Sequence, residues 1–336
     1  MSLPPSEIPL GAMRFNSDSQ KLEYWNGESW FQIKTFSPNL DGGVRGVFGG
    51  GYQPSQKDVI DFVTISTAGN ATDFGDLSLS RGSFDASGSR TRGLAAQDTA
   101  PAFVNTIDFI TLSSTGNATD FGDRTIQTSR ARGCSNQTRG MWAGGFGPSP
   151  NERNQRDFVT IAATGNAVDF GDLTGNREAP SGNVNSPTRA IWTGGDTDGA
   201  GNYSEEIQFV NIASKSDARD FGDLLTGRGI AAGLSSATRG LIGGGAAPSQ
   251  VNTIEYLTIA TFGNSTDFGD CTIARYGRGS TTDCIRGVFA GGTGPALTNI
   301  IDYVNISTLG DAIDFGDFHN TTPRLEGGCS TSHGGL

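Results

Sequence analysis

One four-residue motif, Asp-Phe-Gly-Asp, recurs along the chain and constrains the fold more than any other sequence feature. Six copies stand 47 to 51 residues apart and begin at positions 73, 120, 169, 220, 267 and 314. A period in this range is typical of proteins built from one repeated supersecondary unit, in which neighbouring units share their apolar surface. We therefore expect six copies of one structural unit rather than a series of unrelated domains.

An apolar run precedes each copy of the motif at a constant distance. Each run contains an aromatic residue twelve positions before the Phe of the motif: Phe62, Phe109, Phe158, Phe209, Tyr256 and Tyr303. Turn formers such as Gly69 and Asn70 lie between the run and the motif, and both residue types tolerate the positive φ of tight hairpins. Each unit should therefore contain a β-hairpin, and the apolar residues on both of its faces predict a sheet covered on both sides.

Two further strands are predicted in each unit. One opens with a recurring arginine and ends near paired glycines, as in the segment 286–292, and we expect it to lie near the centre of the molecule because glycine permits close backbone approach. The second unit has Ala95-Ala96 in place of the glycine pair. A Ser/Gly-rich stretch before the arginine, such as 232–236, supplies the fourth strand. Four-stranded units of this kind predict an all-β fold, a six-bladed β-propeller with four strands per blade.

The two ends of the repeat region are complementary. The first unit lacks its Ser/Gly-rich strand, whereas the tail 326–336 resembles the strand type at 133–141. We expect the C-terminal strand to complete blade one, which would close the ring and remove exposed sheet edges. The predicted domains are an N-terminal β-meander at 1–35, a linker at 36–43 and the propeller at 44–336.

Composition excludes several classes of partner and site. The net charge is −11, and the densest basic cluster is Arg-Ala-Arg at 130–132, so a nucleic-acid footprint is not expected. The longest apolar stretches are too short for membrane insertion, and the N-terminus lacks a secretory pattern, so assembly in the cytoplasm is predicted. Four cysteines show no metal or disulfide spacing and are interpreted as free thiols, and two histidines leave little for a triad, metal or cofactor site.

The carboxylates of the motif are predicted to be structural. Two acids could serve acid–base catalysis or a metal, but an active site needs one asymmetric constellation, and these acids recur in every unit. We expect a network of Asp–Arg hydrogen bonds and Asx turns, no catalytic residue and no enzyme activity. The predicted structural residues of the repeat are Asp73, Phe74, Asp76, Arg92, Asp120, Phe121, Asp123, Arg139, Phe170, Arg189, Phe221, Arg239, Phe268, Arg286 and Phe315, with the motif Phe residues packed between blades.

Length varies mainly in the loops that follow the glycine pairs. From the strand-opening arginine to the aromatic residue the spacing is 17 to 20 residues, whereas from the motif Phe to the next arginine it is 18 or 19. The variable loops should emerge on one face, where repeat proteins commonly place recognition. The predicted binding residues on this face are Tyr52, Phe103, Phe146, Asp196 and Tyr203; solvated loops without a ligand are the alternative.

Residues 11–33 are rich in aromatic and aliphatic side chains and read as a three-stranded meander with turns near 16–20 and 26–27. So small a sheet cannot bury these side chains by itself. We predict that the module packs on the propeller or docks to another chain, copies of itself included. The predicted anchoring residues are Phe15, Tyr24, Trp25, Trp30 and Phe31.

The repeats resemble a known family. The glycine pair, the aromatic strand and the arginine after the motif (Arg81, Arg130, Arg177, Arg228, Arg275 and Arg324) are similar to kelch-type repeats in structural proteins of tailed bacteriophages, particularly those infecting marine cyanobacteria. The resemblance covers about 44–336, with Phe in place of the usual Trp. The meander is similar to a short module near the start of phage fibre and appendage proteins.

This resemblance implies a non-enzymatic virion protein: a tail fibre, a spike or a capsid-attached knob. Residues 1–40 would bind other virion proteins, and the propeller would be displayed to engage a host-surface glycan or protein. A free carbohydrate- or protein-binding propeller and a glycan-cleaving enzyme are the alternative functions.

Overall fold

The computed structural model describes residues 8–16, 21–32, 45–52, 55–82, 85–98, 102–148, 151–294, 298–318 and 327–330. The described residues form strands, turns and loops, and no helix among them could span a membrane. The chain divides into two compact units, Met1–Gly42 and Gly43–Leu336. The predicted linker 36–43, His319 and His333 lie outside the described residues.

The N-terminal compact unit, Met1–Gly42, contains one antiparallel sheet of three strands in the described residues: β1 (Met13–Asn16), β2 (Lys21–Trp25) and β3 (Trp30–Gln32). An Asx turn joins β2 to β3, because the Asn26 side chain accepts hydrogen bonds from the amides of Glu28 and Ser29. The order β1-β2-β3 is that of a meander.

The larger compact unit, Gly43–Leu336, contains six four-stranded antiparallel sheets among the described residues. In pairing order they are sheet 1, β27 (Gly327–Ser330), β4 (Arg45–Gly49), β5 (Lys57–Thr64) and β6 (Thr72–Arg81); sheet 2, β7 (Asp85–Gly88), β8 (Arg92–Asp98), β9 (Val104–Thr111) and β10 (Thr119–Asp123); sheet 3, β11 (Arg132–Ser135), β12 (Arg139–Ala143), β13 (Gln155–Thr160) and β14 (Val168–Asp172); sheet 4, β15 (Ser181–Asn185), β16 (Arg189–Thr193), β17 (Glu206–Asn211) and β18 (Arg219–Asp223); sheet 5, β19 (Ala232–Ser235), β20 (Arg239–Gly243), β21 (Thr253–Thr258) and β22 (Thr266–Asp270); and sheet 6, β23 (Gly279–Thr282), β24 (Arg286–Ala290), β25 (Ile300–Asn305) and β26 (Ile313–Asp317). These sheets are consistent with a β-propeller-like fold.

The Ser/Gly-rich strands, rather than the arginine-opened strands, lie innermost. Each innermost strand contacts its counterparts in two other sheets, and β27 contacts both β23 and β7. A Cβ atom built on Gly133 would lie 2.4 Å from the carbonyl oxygen of Ala86, and one built on Gly328 would lie 2.3 Å from that of Ser280. Glycine is therefore required in the innermost strand, which corrects the predicted position of the arginine-opened strand by one place in the sheet.

The Asp-Phe-Gly-Asp motif forms the joint between neighbouring sheets through its backbone. In the joint of sheets 2 and 3, the Gly165 amide donates to the Phe121 carbonyl at 2.8 Å, and the Asp123 amide donates to the Asn166 side chain at 3.1 Å. The same pair of contacts joins sheet 6 to sheet 1, where Gly69 donates to the Phe315 carbonyl at 2.8 Å. The motif Phe side chains are buried in apolar clusters that span two sheets.

The recurring strand-opening arginine bonds a carbonyl, which differs from the predicted Asp–Arg network. Arg92 Nη1 donates to the Ile161 carbonyl of the next sheet at 2.9 Å, and its guanidinium lies 4.8 Å above the Phe109 ring. The carbonyl contact recurs from Arg45, Arg92, Arg139, Arg189, Arg239 and Arg286 to Leu112, Ile161, Ile212, Ile259, Ile306 and Ile65, respectively. A guanidinium has five N–H donors, which lets it bond a carbonyl while it covers an aromatic face.

Ion pairs between sheets use a second set of arginines. Arg81 pairs with Asp108 at 3.0 Å and Arg275 with Asp302 at 2.5 Å, in both cases with fully buried side chains. After the second Asp-Phe-Gly-Asp motif, Thr128 stands at the position of this arginine. Arg124 forms the ion pair there, with Asp157 at 2.9 Å, and donates a hydrogen bond to the Thr128 hydroxyl. The prediction that Arg130 is the repeat arginine after the second motif is therefore wrong.

Sheet 2 has a small residue where other sheets have a large aromatic one. Ala95 lies opposite Asp108, the register position that Phe48 and Trp142 occupy in their sheets. Ala95 is thus not a substitute for the glycine pair; strand β8 instead continues to Asp98. The small side chain leaves a cavity of about 30 Å³ between sheets 1 and 2.

Filling this cavity is expected to stabilise the protein. Ala95→Val adds two methyl groups beside existing empty space, and we expect the free energy of unfolding to rise by about 1 kcal/mol. Ala96→Val is the matched control, because Ala96 is fully buried within a different apolar cluster, beside Trp142. Equilibrium denaturation by guanidinium chloride compares the two variants. Equal or greater loss of stability in Ala95→Val would contradict the interpretation of the cavity.

Candidate functional site

Among the described residues, four of the loops that follow glycine pairs are closed by a short backbone bridge. Tyr52 bridges Gln56, Phe146 bridges Glu152, and Asp196 bridges Tyr203. Tyr52, Phe146 and Asp196 follow directly after glycine pairs at 50–51, 144–145 and 194–195, in which both glycines have positive φ. The pair thus turns the chain out of the sheet, and the residue after it begins a stem-like loop.

The predicted binding residues do not form one cluster. Phe103 and Phe146 contact each other, with ring centroids 5.9 Å apart, and both are half-buried. Tyr52 is 47% exposed and lies against Gly82. Asp196 serves its own loop, since its carboxylate accepts hydrogen bonds from the amides of residues 198, 199 and 201. Whether Tyr52, Phe103, Phe146 and Asp196 bind a ligand stays a prediction.

Tyr203 lines a depression of about 340 Å³, a size within the range of small-molecule pockets. Its wall is formed by side chains that are far apart in sequence: Arg130, Arg132, Tyr203, Gln250 and Tyr276. The depression lies where the chain enters innermost strands, because Arg130 and Ala179 precede β11 and β15 by two residues. These residues define the arginine–tyrosine depression.

The two arginines differ in their surroundings. The Arg130 guanidinium contacts the nearly buried Glu178 carboxylate through Nη1, and its side chain remains 40% exposed. Arg132 is 4% exposed, and its Nε donates to the Pro180 carbonyl at 3.2 Å. Arg130 thus keeps part of its side chain in solvent while it pairs with Glu178, and Arg132 supports the floor of the depression.

The two tyrosines are neighbours. Burial raises the pKa of Tyr203, and Asp196, Glu178 and Tyr276 raise it further, while Arg130 opposes the shift. The Tyr203 hydroxyl therefore stays protonated well above neutral pH. A Cβ on Gly229 would lie 2.7 Å from the Tyr203 ring, so that glycine lets the ring lie flat against the backbone.

Backbone strain accompanies the depression. Arg130, Ala179 and Ile230 all have φ between 47° and 56°, a region that side chains other than glycine rarely adopt. The Ile230 amide donates to the Ala179 carbonyl at 3.1 Å, and Gly277 donates in turn to the Ile230 carbonyl. Strain of this kind persists only where the surroundings impose it, and it tends to cluster at functional sites.

Comparison with known proteins adds no family assignment. No protein-family model matches the chain, and no curated protein is significantly similar to it.

The motif carboxylates differ in how much of each side chain is exposed. The first Asp of each motif is exposed, whereas the second is exposed in two motifs (Asp76 and Asp223) and half-exposed in the other four (Asp123, Asp172, Asp270 and Asp317). Among the described residues, no group of three His, Cys, Asp or Glu side chains is placed to hold a metal ion. The four cysteines are free thiols, as predicted, and burial raises the pKa of Cys329 to about 12.

The N-terminal sheet separates the predicted anchoring residues onto two faces. Phe15, Tyr24 and Phe31 lie on one face, together with Met13 and Leu22. That face is open: the exposed fractions are Met13 65%, Phe15 66%, Leu22 36%, Tyr24 40% and Phe31 47%. These five residues are called the open apolar face.

Trp25 and Trp30 lie on the opposite face of the N-terminal sheet. Their rings are 5.5 Å apart, and the Arg14 guanidinium lies 4.2 Å above Trp30 while it pairs with Glu23 at 2.9 Å. This face is stabilised by contacts within the sheet. The two tryptophans are therefore placed to support the module rather than to present an exposed surface.

Sequence reasoning missed most of the arginine–tyrosine depression. Arg130 was interpreted as a repeat arginine, Arg130 and Arg132 were otherwise considered only as a possible nucleic-acid footprint, and Gln250 and Tyr276 were not singled out. The available signal was a departure from the repeat, since Tyr276 has no tyrosine counterpart at the same distance from any other Asp-Phe-Gly-Asp motif. A residue that breaks the pattern of its repeat has no repeated structural task to explain it.

Proposed function

We propose that the six four-stranded sheets are the blades of one closed, kelch-like propeller. Three contacts between sheet 6 and sheet 1 support closure: β23 with β27, Phe315 with Gly69, and Arg286 with the Ile65 carbonyl. Each repeats a contact found between other neighbouring sheets. The pairing of β27 with β4 supports the expectation that a C-terminal strand completes the first blade.

We further propose that the protein is a non-enzymatic virion component of a tailed bacteriophage, attached through its N-terminal module. The open apolar face carries this proposal. A three-stranded sheet has too little core to be stable with five large apolar side chains in water, and contiguous exposed apolar patches mark interaction sites. A virion protein that covers this face would hold the chain on the particle.

The propeller would then be the displayed part, engaging a glycan or protein of the host surface. Its loops vary in length while its joints are constant, which suits a rigid scaffold that carries a changing surface. The motif acids support a structural role, because the backbone of each motif is committed to a joint. A tail fibre and a capsid-attached knob both fit this arrangement.

Substitution of the open apolar face is expected to prevent attachment. The double variant Phe15→Ser with Phe31→Ser should lower the number of copies per purified particle about tenfold or more, because buried aromatic anchors dominate interfaces. Gln32→Ser is the matched control, since Gln32 is exposed on the same sheet and is polar. Quantitative mass spectrometry of purified particles measures the copies. Normal incorporation of the double variant would overturn attachment through this face.

A free binding propeller is the second candidate function, and the arginine–tyrosine depression favours it. The two candidates differ in where the chain is found. If fractionation of an infected-cell lysate recovers the protein only outside particles, the virion proposal fails and the free binding module remains.

A further inference from the structure

The arginine–tyrosine depression breaks the symmetry of the repeat. Positions equivalent to Arg130 hold Ala179, Ile230 and Gly277 in later units, as judged by their shared positive φ. An arginine also follows the sixth motif at the same distance, as Arg324, but Tyr276 has no tyrosine counterpart at the equivalent position of any other repeat. The depression is thus a single asymmetric constellation, which is what a ligand site requires and what the motif acids lack.

Charge gives the depression a preference among ligands. The chain carries a net charge of −11, so a solvent-facing guanidinium is unlike most of its surface. Glu178 contacts the Arg130 guanidinium through Nη1, and the arginine side chain keeps 40% exposure. Because a guanidinium presents a planar fork of N–H groups, it suits a carboxylate better than a neutral group.

The remaining wall suits a ring that carries hydroxyl groups. Tyr203 and Tyr276 each provide an apolar ring with a polar tip, and Gln250 provides an amide that both donates and accepts. Ala179 and Ala246 keep the space between them open. A sugar ring has the matching surface, with C–H groups on its face and hydroxyls at its edge.

We propose that the arginine–tyrosine depression binds a carboxylated sugar, such as a uronic acid residue of an acidic surface polysaccharide. This inference rests on the proposed role of the propeller as a displayed recognition module. Arg130 bonds the carboxylate, the tyrosine rings cover the faces of the sugar, and Gln250 bonds a hydroxyl. Arg132 holds the floor through its bond to the Pro180 carbonyl.

The test compares two probes that differ only at the carboxylate. Methyl glucuronide and methyl glucoside are titrated into the purified full-length chain, and binding is followed by ligand-observed NMR. We expect the glucuronide to bind about tenfold or more tightly than the glucoside, because one charge-assisted pair distinguishes them. Equal binding of the two sugars, or no binding of either, would overturn the proposal.

Variants assign the roles within the site. Arg130→Gln should remove the preference for the glucuronide, and Tyr276→Ala should weaken both sugars. Arg219→Gln is the matched control, because Arg219 is an exposed arginine on the outermost strand β18 and should leave both affinities unchanged. Thermal unfolding checks that each variant is folded. A glucuronide preference that survives in Arg130→Gln would overturn the role of the arginine and with it the proposal.

An acidic peptide is the competing ligand. If an oligoglutamate peptide binds and the glucuronide does not, the site recognises acidic protein segments and the sugar proposal is wrong. These measurements use free protein and do not depend on particles. Failure of sugar binding with normal incorporation therefore removes only this inference, whereas failed attachment with intact sugar binding removes only the virion proposal.

Discussion

Truncation after residue 326 is expected to abolish the stable fold of the larger compact unit. This change removes β27, which pairs with β4 over the register Gly327↔Gly49 to Ser330↔Gly46. It leaves β4 with an unpaired edge and removes the strand that contacts both β23 and β7. The free energy of unfolding should therefore fall by about 4 kcal/mol or more. Denaturant unfolding and the fraction of aggregated protein measure the effect.

The control for this experiment is truncation after Ser330. That variant keeps β27 and all of its described pairing, so we expect its unfolding transition to match that of the full chain. If the longer truncation unfolds at the same denaturant concentration as the control, the pairing of β27 with β4 contributes nothing and the closed propeller is wrong.

The second large effect is expected at a joint between sheets. Gly122 of the Asp-Phe-Gly-Asp motif has a φ of 143°, and a Cβ at this position would lie 2.5 Å from the Gly165 carbonyl oxygen. Gly122→Ala therefore combines backbone strain with a collision against backbone that cannot move away cheaply. We expect a loss of about 3 kcal/mol or more in the free energy of unfolding.

Gly165→Ala separates the two causes. Gly165 has a similar φ of 154°, but a Cβ there would meet nothing within 4 Å. This variant carries the strain alone, so it should be clearly more stable than Gly122→Ala when both are unfolded in denaturant. Equal losses would mean that the close approach of the two sheets has no energetic weight.

The repeat allowed much of the fold to be predicted, because a pattern seen six times averages out local ambiguity. The hairpin between Phe62 and Phe74 and its counterparts followed from a constant spacing and from turn residues. The burial of the motif Phe side chains followed from apolar residues on both faces of one strand. These are local properties, which periodicity reports well.

Contacts between sheets were harder to predict. The sequence shows that Arg92 recurs but not that it reaches the Ile161 carbonyl, because backbone partners leave no mark in the sequence. Which strand lies innermost depends on contacts between strands of different sheets, and both Gly-containing strands were compatible with close approach. Ala95 was assigned to the glycine pair because spacing alone does not reveal that β8 is longer.

The candidate site was the least predictable part. Arg130, Tyr203, Gln250 and Tyr276 are brought together from four units, and a single sequence carries no signal that joins them. In the N-terminal module the aromatic residues were recognised, but the turn at Asn26 sets which face each one occupies. Trp25 and Trp30 therefore fell on the face opposite Phe31.

The bridged loop stems give the chain a modular character. Asp196 and Tyr203 close their loop at its base, so the residues between them make no strand pairing that the sheet depends on. The joints and the loops consequently draw on different residues. Substitutions in the loop tips can therefore change what the molecule binds, while the residues that form the strands and joints stay the same.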